Sequence, residues 1–296
     1  MNYNTSELVN DVIHYLSVDE TDDIKTLISN IKKINKLNPY KSIPEKYMWE
    51  EQCGINIPLL YISSIFLYIY SKQFDIDTYL FTTRDCSQWY KIFKSMYPDE
   101  HVIYFNSSRN MLDSARKKTN KYYDEYVKGC IKTSIQKTIF IDIHGTGKRI
   151  ISYFKNQFND TPYSFLLSSS YRKYADFPLI TRTHYKNGKF INLIFDARGS
   201  PIEMLNYDVI GTLQTYKKTG PVRAKTEYSR KYLEPYHICV DYFCEQSNPI
   251  DLDNTYDLSK LHQIIRKIYR TIQDNKPAIS MYIKHPAKHP KLDITT

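Results

Sequence analysis

The stretch Thr138-Ile-Phe-Ile-Asp-Ile-His-Gly-Thr-Gly-Lys-Arg-Ile-Ile-Ser-Tyr-Phe-Lys-Asn-Gln-Phe158 decides the fold. Its first half, Thr138–Ile143, is a continuous apolar run broken only by Asp142, and its second half, Lys148–Phe158, has helical spacing. A run of that length bounded by glycine is a strand buried on both faces, and a loop of small residues then opens a helix. The same pattern recurs outward from it. Apolar runs at Tyr79–Thr82, Val102–Phe105 and Tyr163–Leu167 are separated by helical stretches at Ser87–Met96 and around 109–130. Strands alternating with helices predict an α/β fold with a mainly parallel, doubly wound sheet joined by right-handed crossovers. Further strands are expected at Lys189–Phe195 and Asp208–Tyr216.

On either side of this unit the pattern is helical. Residues 6–37 repeat apolar positions at helical spacing (Leu8, Val12, Ile13, Leu16, then Ile24, Leu27, Ile28, Ile31, Ile34) before Pro39 and Pro44. Leu258–Ile272 is an amphipathic helix, and the tail from Lys284 has proline and charge without apolar pattern, so it is expected to be mobile. The expected organisation is a helical extension over 1–45, an α/β domain over 46–245, and a C-terminal helix and tail over 246–296. Cys53–Tyr70 holds eighteen residues without a charge, the lower limit for a membrane span. With Asn56, Pro58, Ser63 and Ser64 inside it, it reads as a buried helix opened by Pro58, and no membrane partner is expected.

Composition narrows the class. A chain of 296 residues with 42% hydrophobic and 25% charged residues is globular rather than disordered. Its 41 basic against 32 acidic side chains give +9, enough to favour an anionic ligand and far from a histone-like charge. The 28 tyrosines beside 8 glycines reflect translation from an AT-rich genome, of a large DNA virus or an AT-rich bacterium, and not a function. Five scattered cysteines (Cys53, Cys86, Cys130, Cys239, Cys244) form no CxxC pair, which excludes a zinc site or disulfide framework and fits a reducing compartment. The N-terminus lacks the basic start and apolar run of a signal peptide, so the expected location is cytoplasmic, or the host cytoplasm for a viral protein.

In open parallel sheets ligands bind beyond the carboxyl ends of the strands. The four loops there are Thr82-Thr83-Arg84-Asp85, Asn106-Ser107-Ser108-Arg109, Asp142 to Arg149, and Ser168-Ser169-Ser170-Tyr171-Arg172-Lys173. Each combines hydroxyls with a cation, and helix N-termini favour anions. The convergence points to an anionic small molecule. Helix capping by Ser, Thr and Asp accounts for the hydroxyls equally well, but not for a cation in every loop. In the third loop Gly145 and Gly147 let backbone N–H groups approach a phosphate, Thr146 adds a donor, and Lys148 a charge. Asp142 there could bind sugar hydroxyls or hold Mg²⁺ through water. The loop is no Walker A motif: Asp142 stands where its first glycine belongs and Arg149 where Ser or Thr belongs. Asp75-Ile76-Asp77-Thr78 has the letters of a phosphatase nucleophile motif but precedes its strand, so it is read as a turn. Cys86 at a helix N-terminus has two readings, thiolate or buried structural thiol, and the second is preferred. His144 is either an acid–base group or a loop histidine bonded to backbone. Tyrosines and lysines could serve single-stranded nucleic acid, yet they do not cluster and no nucleic-acid signature is present.

These loops resemble a domain common in bacterial surface-glycan gene clusters, where it follows a haloacid-dehalogenase-like domain. The likeness runs through residues 50–93 with Arg84-Asp85, through Ser108-Arg109 in VIYFNSSRNML (102–112), and through Asp142-Ile143-His144-Gly145-Thr146-Gly147. Ile202-Glu203-Met204-Leu205 echoes a later Leu-Glu-x-Leu element. More distantly the layout is similar to type I phosphoribosyltransferases. That resemblance implies a phosphoribosyltransferase-like or Rossmann-like fold binding a sugar phosphate or nucleotide, with glycosyl or phosphoribosyl transfer as the activity. It places Thr83, Arg84 and Asp85 at a diphosphate, and Asp142, Thr146 and Gly147 at a ribose phosphate. It also implies Arg84 and Lys148 stabilising the leaving group with Mg²⁺, Arg109 clamping a second anion with Ser107 and Ser108 beside it, and Glu203 as an acid–base candidate. The sequence departs from the pattern at Ile143, where a second acid is expected, in a loop one residue short, and at Cys86, where the bacterial domain has glycine. The alternatives are a non-catalytic binding module on the same fold and a nucleic-acid-processing protein. A homo-oligomer is compatible with the sequence.

Overall fold

The computed structural model describes residues 5–19, 21–42, 45–112, 120–226, 230–250 and 255–275. The chain opens with helices α1 (Thr5–Leu16), α2 (Asp22–Lys36) and α3 (Glu45–Glu51), the last running through a π-helical turn (Gln52–Asn56) into α4 (Ile57–Lys72). The alternating unit follows: β1 (Thr78–Thr82), α5 (Ser87–Met96), β2 (His101–Phe105), the short α6 (Arg109–Leu112), α7 (Lys121–Cys130), β3 (Thr138–His144), α8 (Lys148–Phe158), β4 (Tyr163–Ser168), α9 (Leu179–Lys186) and β5 (Phe190–Ile194). The chain continues through α10 (Gly199–Asn206), β6 (Leu213–Lys217), β7 (Gly220–Arg223), α11 (Arg230–Gln246) and α12 (Leu258–Asp274).

The fold is α/β. Five strands form one sheet in the order β2-β1-β3-β4-β5, every neighbouring pair parallel. Alternation along each strand feeds two cores. Tyr79, Phe81, Ile139, Ile141, Ile143, Phe165 and Leu167 face one cluster, which takes in α4, α5, α11 and α12 and extends to α1 and α2. Leu80, Phe140 and Leu166 face the other, with Tyr123 and Val127 of α7 and Ile150, Ile151 and Phe154 of α8. Helices therefore cover both faces, which is why the strands read as unbroken apolar runs.

Three expectations need correction. The buried helix does not begin at Pro58: the helical path begins at Glu45, and the π-helical turn restarts it so that Pro58 falls in the first turn of α4. Pro58 has no N–H to give to this continuous path, and the break in the ladder falls where the π-helical turn passes into α4. Gly54 in that turn lets α1 close in, since a Cβ would stand 2.3 Å from Val9 Cγ2. This 28-residue helix is long and apolar enough to cross a bilayer, yet 83% of its apolar window is buried inside the fold. The strand expected over Asp208–Tyr216 is shorter and separate: β6 pairs antiparallel with β7 in a hairpin outside the main sheet. The helical stretch around 109–130 divides into α6 and α7, with 113–119 outside the described residues. The tail from Lys284 also lies outside them. Asp75 is in a turn, as expected, with φ 54° and its carboxylate paired to Lys137.

Candidate functional site

The chain steps from β1 outward to β2 and then crosses back to β3 on the other side of β1, so strand order reverses between β1 and β3. That is where open parallel sheets hold ligands. One step beyond the paired residues Phe81 and Ile141, Thr82 and Asp142 stand side by side, and Thr82 Oγ1 donates to Asp142 Oδ1 at 3.2 Å. Burial above all, then the charges of Asp85 and Glu203, push the Asp142 carboxyl up to about 7. Asp85 follows Thr82 by three residues in the β1 loop, and Glu203 comes from α10, where it is buried among the core residues Ile202, Met204 and Leu205. Three carboxyls from three elements thus share one rim, with Asp142 carrying the consequence. Gly145 allows the β3–α8 loop to fold over it, since a Cβ there would lie 3.2 Å from Asp142 Oδ2.

Cys86 belongs beneath this cluster and is no thiolate. It is fully buried, its Sγ lies 3.0 Å from Thr82 Oγ1 and 3.7 Å from the Ile141 carbonyl, and burial with the neighbouring Asp142 charge pushes the thiol far up. Burial overrides the helix N-terminus here.

Arg84 occupies a second place on the rim. It is a non-glycine residue at φ 75°, in the left-handed region. Its N–H donates to Tyr104 Oη at 2.8 Å, and Tyr104 in turn donates to Asp208 Oδ2 at 2.8 Å. The guanidinium donates to Thr212 Oγ1 at 2.7 Å and lies 5.5 Å from the centre of the Tyr207 ring. Arg84, Tyr207, Asp208 and Thr212, with Gly211 and Lys225, line an open cleft. Gly211 is required there, because a Cβ would stand 1.8 Å from the Ala224 carbonyl oxygen. Sequence reasoning missed Tyr104, Tyr207, Asp208, Thr212 and Lys225. The only available signal was that Tyr104 faces away from its apolar neighbours in β2; the others are brought in by a hairpin distant in sequence.

The remaining candidates fall into quieter roles. Thr83 Oγ1 donates to the Ser107 carbonyl at 3.2 Å and accepts the Ser107 N–H at 3.3 Å, a clasp that ties the first two loops together. Ser108 Oγ accepts the Met111 N–H and caps α6, the capping role weighed from sequence. Arg109 is exposed at the start of that four-residue helix and does not line the cleft. Thr146 Oγ1 accepts the Lys148 N–H, and its carbonyl accepts from Thr181. Gly147 holds φ 68° at the head of α8, packed so closely that a Cβ would reach 2.8 Å from Phe190. Lys148 is exposed. The structure therefore gathers Thr82, Asp85, Asp142 and Glu203, keeps Gly145–Lys148 next along the chain, and gives Arg84 a cleft of its own. Among the described residues no group of three or more His, Cys, Asp or Glu side chains is placed to hold a metal ion. Asp142 offers a single carboxylate, which suits only a Mg²⁺ carried largely by ligand phosphates.

The chain matches no family model and no curated protein. Its functional reading rests on this rim.

Proposed function

We propose that the rim binds an anionic small molecule of sugar-phosphate or nucleotide type, on a doubly wound, phosphoribosyltransferase-like scaffold. The observation that supports it is Asp142: a carboxyl at the reversal of strand order, pushed up to about 7 by burial first and then by the charges of Asp85 and Glu203. Such a group both gives and takes a hydrogen bond at neutral pH, which suits a sugar hydroxyl. Arg84 and the backbone at the head of α8 would take the phosphates, and Lys148 adds charge there. In a glycosyl or phosphoribosyl transfer, the bond from the anomeric carbon to diphosphate breaks and its electron pair leaves with the diphosphate. The acceptor's bond to that carbon forms while Asp142 takes the acceptor's proton. Mg²⁺ would supply neutralising charge on the diphosphate. A second reading, binding without turnover, is favoured by Ile143, which is wholly buried and leaves Asp142 without a second acid beside it on β3.

Calorimetric titration with phosphoribosyl diphosphate and with nucleotide sugars, each with Mg²⁺, tests the proposal. Heat and a thermal shift are expected for the native chain, and both should be lost in Arg84→Ala and Asp142→Ala. Silence with every ligand would overturn the assignment. Binding with no consumption of ligand selects the second reading.

A further inference from the structure

His144 ends β3 and is paired in register with Ser168, which ends β4. Its Nδ1 lies 3.0 Å from Ser168 Oγ, a contact in which the imidazole could donate or accept. The other partners of Ser168 decide which. Its single hydroxyl proton goes to the Ile143 carbonyl at 2.8 Å. The Tyr269 hydroxyl of α12 approaches the same oxygen at 3.1 Å and also stands 3.1 Å from the Arg198 carbonyl, where it can only donate. With its proton committed, Ser168 can only accept from the ring. Nδ1 then carries the imidazole proton and Nε2 carries the lone pair.

A second feature seats the ring. A Cβ at Gly199 would stand 2.5 Å from His144 Cδ2 and 2.9 Å from Nε2, so the first residue of α10 presents bare backbone to the imidazole. The same helix carries Glu203 to Asp142. His144 and Asp142, two residues apart on one strand, share a face of the sheet.

We propose that His144 is a second proton-exchanging side chain of the rim, acting through Nε2, with Ser168 as the positioning residue that fixes its tautomer. The role toward a ligand rests on the function proposed above; the tautomer does not. In the exchange Nε2 takes a proton from a hydroxyl or amine of the bound ligand and returns it, no covalent bond being made or broken at the ring, and the imidazolium remains hydrogen-bonded to Ser168 through Nδ1.

The test is nitrogen NMR of the full chain with labelled histidine, the His144 signals among eight histidines being assigned by loss in His144→Gln. The native protein should show protonated Nδ1 and unprotonated Nε2. Ser168→Ala should shift the ring toward the Nε2-protonated form, while Tyr269→Phe should leave it unchanged. An Nε2-protonated ring in the native protein, or a Ser168→Ala variant indistinguishable from it, would overturn the proposal whether or not any ligand binds. Where calorimetry shows phosphoribosyl diphosphate binding, the Nε2 resonance should move on saturation. Binding that leaves Nε2 in place removes the role toward ligand while the function proposed for the rim stands. Absence of binding refutes that function and leaves the tautomer to be judged on its own signals.

Discussion

Helix α10 touches two buried polar clusters, and they are built on opposite terms. At its C-terminal end Asn206 meets Asn56 of the π-helical turn. Asn56 Nδ2 donates to Asn206 Oδ1 at 3.2 Å and to Gln52 Oε1 at 3.2 Å, and Asn206 Nδ2 returns a bond to Asn56 Oδ1 at 3.1 Å and reaches the Ile202 carbonyl at 2.9 Å. Only Gln52 Nε2 is left over in this set. One helical turn earlier, Glu203 joins Asp142 and Asp85, three acids whose charges oppose one another. Neutral groups that satisfy each other specify packing; like charges gathered at a rim work against stability, and the function proposed above would give them a use. The polar residues of a core are therefore sorted by what their partners are, not by how deeply they lie.

The largest effect should come from the amide cluster. Asn56→Ala leaves Asn206 half-paired and opens a small cavity, which should cost roughly 2–4 kcal/mol of stability. Because the cluster only joins helices, replacing Asn56 and Asn206 together by Leu should recover much of that loss, an outcome read from urea midpoints of the single and double variants. A double variant no better than Asn56→Ala would show that the amides do more than pack.

The carboxyl cluster should respond in the opposite direction. Asp142 titrates near 3.8 in an unfolded chain and near 7 when folded. Between those values the folded protein holds a proton the unfolded chain has lost, so this group's contribution to stability is complete below about pH 4, declines as pH rises toward about 7, and stays low above it. Asp142→Asn keeps an acceptor for Thr82 and removes the charge. It should be more stable than the native chain by about 2 kcal/mol at pH 8, a figure reduced for the partial exposure of the side chain, with the gap closing toward about pH 4. A native protein as stable as the variant at pH 8 would mean that the three carboxyls do not oppose one another, and the contrast between the clusters would fail.

The sheet was legible because its strands are buried on both faces. Thr138–Ile143 and Lys148–Phe158 announce themselves by pattern alone, and the structure extends the first by one residue and reproduces the second. That Thr82, Asp85 and Asp142 lie along one rim follows from the parallel strands, whose carboxyl ends share an edge; that β1 and β3 are neighbours was not legible, because alternation does not fix strand order. Glu203 was visible only through a family resemblance, since one acid inside an apolar helix carries no periodic signal. Ser108 and Thr146 were picked out correctly as loop hydroxyls, but sequence cannot tell a cap from a ligand donor; the hydrogen-bond partner decides that. The helical start at Glu45 was hidden because a π-helical turn breaks the 3.6-residue period just ahead of Pro58. The Arg84 cleft was hidden for a different reason. Its walls are Asp208, Thr212 and Lys225, brought in by a polar hairpin whose strands bury little and so leave no apolar pattern to read.

Arg84 gives the smallest stability effect and the sharpest test of what the rim is for. Its backbone sits at φ 75°, where a side chain costs about 1 kcal/mol that glycine does not pay. Arg84→Gly relieves that strain and gives up the hydrogen bond to Thr212 and the contact with the Tyr207 ring, each worth about 1 kcal/mol or less, so net stability should change by no more than about 1 kcal/mol. Arg84→Ala loses the same contacts and keeps the strain, so it should be less stable than Arg84→Gly by about 1 kcal/mol, which isolates the backbone term by difference. Affinity for a phosphate-bearing ligand should fall at least about tenfold in both variants, since a charge-assisted bond is worth about 1.5 kcal/mol or more. Matching unfolding curves for the two variants would deny the strain, and unchanged affinity in both would deny the guanidinium a ligand. If instead binding collapses while stability holds, a residue kept in a costly conformation contributes almost nothing to the fold and a great deal to the site, the pattern proposed for the carboxyl cluster and the opposite of the amide cluster.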